Sequence, residues 1–373
     1  MKRKINMLLI MIFMMIFSRA SIALVKCENT KGHTYKANIA IGADIFSGNE
    51  IPVGTILYSL LANTETYRIE LTCATNEKWV IDVHYRFLEQ PKNSPIMING
   101  KPVYETNVKG VGVAVREASG NNYITWESPF NKPFETQGSS TDGSTSHWRH
   151  PKIYYEFIKT GPISGSTTLN MNSVPDVAIT AIDTPGYSGL PIDMLHLKVT
   201  GNFHIHSSTC KITNTNSTVL LGEHAVNNEL KGIDSTTPWV NASIELSDCP
   251  QFFGYYSEDQ ISTDGNKPTE GAVTSNKIRV DITAHSGFID ESKGIFSIDN
   301  SDPQSASGVG IQLGGMSGAT IQPLNLEVGY EYPLPNNASK VINIPLFARY
   351  YQVTNKITPG TANGVITYTI NYQ

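Results

Sequence analysis

GTANGVITYTINYQ, residues 360–373, closes the chain. Within it Ile366, Tyr368, Ile370 and Tyr372 alternate with Thr367, Thr369 and Asn371. Successive side chains on a strand point to opposite faces, so these four apolar and aromatic residues share one face. No turn and no partner run follows them in the sequence. A final strand of this kind presents a row of unpaired backbone groups, which is a template for pairing with another chain.

Working outward, the same short alternating runs recur. WVIDVHYRF (79–87), GVGVAVRE (110–117), KIYYEFIK (152–159), LHLKVTG (195–201), KIRVDITA (277–284), GVGIQL (308–313) and NIPLFARYY (343–351) are separated by Gly, Pro, Asn, Ser and Asp. No long helical period appears after residue 23, and 30 Gly and 20 Pro supply many turns. The chain is expected to be all-β, with strand lengths that suit sandwiches. TQGSSTDGSTSH (136–147) reads as a long loop, because the strand-like KIYYEFIK follows it almost at once. A unit boundary is expected near residue 200, within VTGNFHIHSSTC (199–210).

The opening residues set the compartment. Lys2, Arg3 and Lys4 precede an apolar run from Met7 to Phe17, and Ser21-Ile22-Ala23 is a small-x-small cleavage signal. Residues 1–23 are expected to be a secretory signal peptide, since the run is too short to span a bilayer core of about 30 Å. Without them the chain carries 24 basic and 33 acidic side chains, a net charge of −9 that gives no basic surface for nucleic acid. In an exported protein the four cysteines Cys27, Cys73, Cys210 and Cys249 are expected to form disulfides. Three pairings are open; separations of 46, 137 and 39 positions favour sequential pairing, one bridge in each half.

Gly360 stands fourteenth from the end and Tyr372 next to last, with the alternating residues between them. This pattern resembles the chaperone-recognition end of subunits in the chaperone-usher pilus family. Residues 346–373 and GVGIQL (308–313) are similar to segments of two-domain fimbrial tip adhesins, and Cys210 with Cys249 resembles the disulfide of their pilin domain. The resemblance implies an N-terminal lectin-like β-sandwich at 24–200 and a C-terminal incomplete immunoglobulin-like pilin domain at 201–373, lacking one strand. It further implies that a periplasmic chaperone fills the open groove, that the outer-membrane usher assembles the subunit, and that an adjacent pilin subunit then donates a strand by β-strand addition. Gly360, Ile366, Tyr368, Ile370, Tyr372 and Gln373 are the residues implied at that interface, with the Gln373 carboxylate held by basic chaperone residues. A chain that accepts a strand and has a whole domain in place of a donor extension would stand at the fimbrial tip. There its first half would attach bacteria to a host glycan or an extracellular-matrix receptor. The alternative is a non-adhesive structural tip or adaptor subunit.

A sugar-binding surface needs aromatic faces and hydroxyl-pairing side chains. These are densest in residues 121–150, where Trp126, Asp142, Trp148 and Arg149 are the candidate ligand contacts. Asp142 beside Gly143 also reads as a turn residue, and each tryptophan as a packing residue. His84, His147 and His150 lack a metal-site motif, so no metal and no cofactor are expected. An enzyme is not expected either: there is no GxSxG elbow or P-loop, no thiol is left free, and the adjacent Asp290 and Glu291 read as a solvated turn.

Overall fold

The alternating runs become sheets throughout the computed structural model, which describes residues 24–263, 271–337 and 339–373. The expected signal peptide lies outside them. Strand and loop dominate, and helix is confined to short turns such as Val226–Glu229.

Two sheets face each other in the first half. One has Ile56–Asn63, Lys152–Lys159 and Val111–Glu117 as antiparallel neighbours. The other carries Val83–Phe87, Val177–Ala181 and the 15-residue strand Ile192–His206. Tyr35–Phe46 lies parallel to that long strand over twelve steps, from Tyr35 opposite Leu195 to Phe46 opposite His206. It shows the period-two rule plainly: Ala37, Ile39 and Ile41 are buried while Lys36, Asn38 and Ala40 are exposed. Between the sheets Phe203 stacks on Tyr58 at 5.7 Å and meets Phe157 edge-on at 5.0 Å. A small third sheet places Thr145–Arg149, Ile69–Cys73, Val25–Asn29 and Tyr187–Ser188 side by side. In it Cys27 lies directly opposite Cys73 and the two form a disulfide.

The loop expected over 136–147 is shorter than its composition suggests. Thr145, Ser146 and His147 belong to the strand Thr145–Arg149. The buried Thr145 hydroxyl accepts from the Trp79 indole at 2.8 Å and donates to the Thr75 carbonyl at 3.0 Å. A hydroxyl with both partners inside the sheet is as well satisfied there as in a loop, so polarity misdirects the reading.

A second core cluster lies in the other half, where Ile278, Val280 and Ile282 face Phe296, Ile311, Leu313 and Ala348. Its main sheet contains Leu346–Gln352 paired with Val309–Ser317, and Cys210 is bonded to Cys249. The boundary expected near residue 200 falls inside the unbroken strand Ile192–His206.

The halves share more than a linker. Tyr256–Thr263, after the last cysteine, runs back to the first half and pairs in parallel with Ile56–Asn63. There Asp259 accepts from the Ser59 hydroxyl at 3.0 Å and the Tyr154 hydroxyl at 2.6 Å, and Ser262 donates to the Ala40 carbonyl at 3.0 Å. In return Phe46 is fully buried in the second core, edge-on to Phe252 at 4.9 Å.

Candidate functional site

The terminal strand Ile366–Tyr372 pairs antiparallel with Lys277–Ala284 along its whole length, from Ile366 opposite Ala284 to Tyr372 opposite Ile278. Lys277–Ala284 is paired on its other side with Tyr330–Pro333, so the terminal strand is the outer member of a three-stranded sheet. Among the described residues no strand pairs with its far edge.

Its side chains report the same opening. Ile366, Tyr368 and Ile370 are only half-buried and Tyr372 is buried, all four against the second core, while Thr367 and Thr369 face solvent. The facing Ile278 and Val280 on the central strand are fully buried. The difference is positional: a central strand is flanked on both sides, whereas the outer strand has neighbours on one. Burial pushes the Tyr372 phenol up to about 12, and its ring stacks on Phe252 at 5.8 Å. Gln373 exchanges main-chain hydrogen bonds with Lys277 at 2.7 and 2.8 Å.

Gly360 sets where this segment begins. A Cβ there would run into the Gln304 carbonyl and stand 2.6 Å from the Ala306 nitrogen. The close approach lets Thr361 bond back at 2.9 Å to Gln304 and accept from Ala306 at 2.8 Å. Glycine is therefore required by contact with a neighbouring segment rather than by an unusual φ.

The four expected receptor contacts are spread over distinct sites. Trp126 is 39% exposed, and its main-chain N–H donates to the Tyr104 hydroxyl at 3.2 Å. Asp142 caps its own loop, accepting from Ser144 N at 3.2 Å and from the Ser140 hydroxyl, and these bonds, led by Ser140, lower its pKa. Arg149 donates to the Lys132 and Pro133 carbonyls at 3.1 and 2.8 Å and lies over Phe134. Trp148 is more open than Trp126, 49% exposed on the outer face of the small sheet. The Arg68 guanidinium lies over its ring at 5.3 Å and is itself paired with Glu70 at 2.5 Å. His147 bonds through Nδ1 to the Glu135 carbonyl at 2.7 Å.

Sequence reading missed a polar cleft of about 810 Å³ on the first half. Its walls come from 89–93, 104–107 and 172–176, with Lys198 at one side. No single stretch carries enough of it to stand out, because the sheet's turns bring four distant segments together.

Comparison with known proteins adds a family match in the second half. A family profile described as Fimbrial protein matches residues 198–373. The S-fimbrial protein subunit SfaA of Escherichia coli O6:K15:H31 is 31% identical over 163 residues, 43% of this chain and 75% of its own length. The fimbrial-like protein YraH of Escherichia coli K12 is 24% identical over 176 residues, 45% of this chain and 84% of its own length. Among solved structures, the CupB6 tip adhesin from Pseudomonas aeruginosa aligns over 93% of this chain and 94% of its own length, at 15% identity and a TM-score of 0.34.

Proposed function

Because the chain belongs to the fimbrial protein family, we propose that it is the adhesive tip subunit of a chaperone-usher pilus, anchored by its second half and binding a host receptor, a glycan by preference, through its first. The observation that carries this reading is the terminal strand: an outer strand whose alternate residues Ile366, Tyr368 and Ile370 reach the core but are half-covered. An added strand would pair with the open backbone edge and cover those side chains at once. A periplasmic chaperone supplies that strand first and the adjacent pilin subunit later, with Gly360, Tyr372 and Gln373 fixing the ends of the docking segment. The usher then passes the subunit outward, leaving it at the fimbrial tip.

The division we propose is 24–200 for receptor binding and 201–373 for assembly, with the long strand Ile192–His206 running from one into the other. Of the candidates in 121–150, Trp148 keeps a solvent-facing ring, whereas Asp142 holds its own loop and Arg149 is bonded to the Lys132 and Pro133 carbonyls. The test is co-expression with the chaperone and recovery of the complex from the periplasm. Ile370→Asp, a charge placed on the half-covered face, is expected to abolish recovery, and Thr369→Asp on the opposite face is expected to spare it. Equal recovery of both variants would sink the assembly reading.

A further inference from the structure

The cleft at the end of the first half's second sheet contains a carboxylate that accepts no hydrogen bond from the described residues. Asp176 immediately precedes the strand Val177–Ala181, and its carbonyl accepts from Leu88 N at 2.9 Å, fixing its main chain at the sheet's end. Val177 lies opposite Leu197, which brings Lys198 alongside Asp176. The walls around them are set by bonds of their own. Asn107 accepts from Asn170 N at 2.9 Å and the Ser173 hydroxyl at 3.1 Å and donates to the Thr168 carbonyl at 3.0 Å. Across the cleft Asn93 donates to Glu105 at 2.5 Å. Among the described residues no hydrogen bond reaches the Asp176 carboxylate. Burial raises its pKa, as does Glu89, against the opposing pull of Lys198 and His196.

We propose that this cleft seats a neutral saccharide, whose hydroxyls donate to Asp176 and accept from Lys198. This rests on the adhesin reading and gives it a ligand class and a place. The lining selects by elimination. A sulfate, phosphate or sialic acid carboxylate would meet Asp176 and Glu89, and a free cation would meet Lys198 and Lys92. An apolar ligand would strip water from charged walls with nothing in return. A hydroxyl both donates and accepts, so it suits acceptor-only carboxylates beside donor-only ammonium groups. The volume of about 810 Å³ falls in the range of ligand sites, roughly 300–1,000 Å³.

The experiment probes the full chain on an array of neutral, sialylated and sulfated glycans, then repeats it with Asp176→Asn, Lys198→Met and Trp148→Ala. The expected result is binding to neutral glycans over their acidic derivatives. Loss of about tenfold or more in affinity is expected for the first two variants, the size expected for a hydrogen bond to a charged group, with Trp148→Ala unaffected. Binding that survives Asp176→Asn and Lys198→Met but falls with Trp148→Ala overturns the cleft and leaves the glycan reading standing. A wild-type chain that binds only acidic glycans overturns the stated ligand class, and one that binds no glycan overturns the glycan reading together with the cleft.

Discussion

Two carboxylates in the first half show how opposite environments set opposite roles. Glu156 is nearly enclosed, and although burial works to raise its pKa, hydrogen bonds from Lys101 at 2.6 Å and Arg116 at 2.9 Å outweigh it, so the net shift is downward. A lowered carboxylate stabilises the fold above the ordinary carboxylate range, and that contribution is lost as pH falls through its folded pKa. Glu156→Gln leaves two cations facing a neutral amide and is expected to destabilise the first half by about 3–5 kcal/mol at pH 7, read from urea unfolding. Asp176 has the reverse sign. Its folded pKa is raised, so its charge weakens the fold at neutral pH, and the penalty shrinks as pH falls through that value and is gone below the ordinary carboxylate range. Asp176→Asn is therefore expected to raise the Tm at pH 7, with the gap to wild type closing in acid. A lower Tm at pH 7 would mean that the carboxylate has a structural partner and is not held for a ligand. Asp176 could not have been picked out in the sequence, because its meaning comes from Glu89, Lys198 and His196, which only the fold brings near. Asp142 was conspicuous for the opposite reason: its turn chemistry is local, and its bonds are local too.

At the scale of elements, what was legible was whatever a strand declares by its own period. Lys152–Lys159, Lys277–Ala284 and Ile366–Tyr372 lie within a residue or two of the alternating runs that predicted them. What was hidden was pairing, since period two says which face is buried but not which strand lies alongside. Tyr256–Thr263 is the clearest case: nothing in YSEDQIST names Ile56–Asn63, about two hundred residues away, as its partner. Its Ser262 is fully buried and bonded to the Ala40 carbonyl. Ser262→Pro would remove the hydroxyl, the main-chain donor and the fixed register together. Hydrogen exchange of the full chain is expected to show faster exchange at Ile56–Asn63 in this variant, with Val177–Ala181 unchanged. Unaltered protection at Ile56–Asn63 would show that the crossing strand contributes nothing to that edge.

At the scale of the molecule, the second half leaves one sheet edge open and closes another. Its terminal strand is an outer strand with one side unpaired, while its segment Tyr256–Thr263 closes an edge of the first half. Phe46 crosses the other way into the second core, and a Cβ at Gly48 would collide with the Tyr372 carbonyl. Buried Lys159 fixes that crossing by donating to the Gly48 and Asn49 carbonyls at 2.5 and 3.0 Å. The first half is therefore incomplete when cut from the chain: Ile56–Asn63 loses a neighbour, and its edge is left to pair with other copies. We predict that residues 24–206 alone melt at a lower temperature and self-associate, and that appending residues 255–263 through a flexible linker restores a higher Tm and a monomer. The strand must act by pairing, so the same appended segment with Ser262→Pro is expected to restore neither. Melting and sedimentation of the three polypeptides decide it: identical behaviour in all three would mean that the first half is complete without the second, and that the crossing strand merely lies against a sheet already closed.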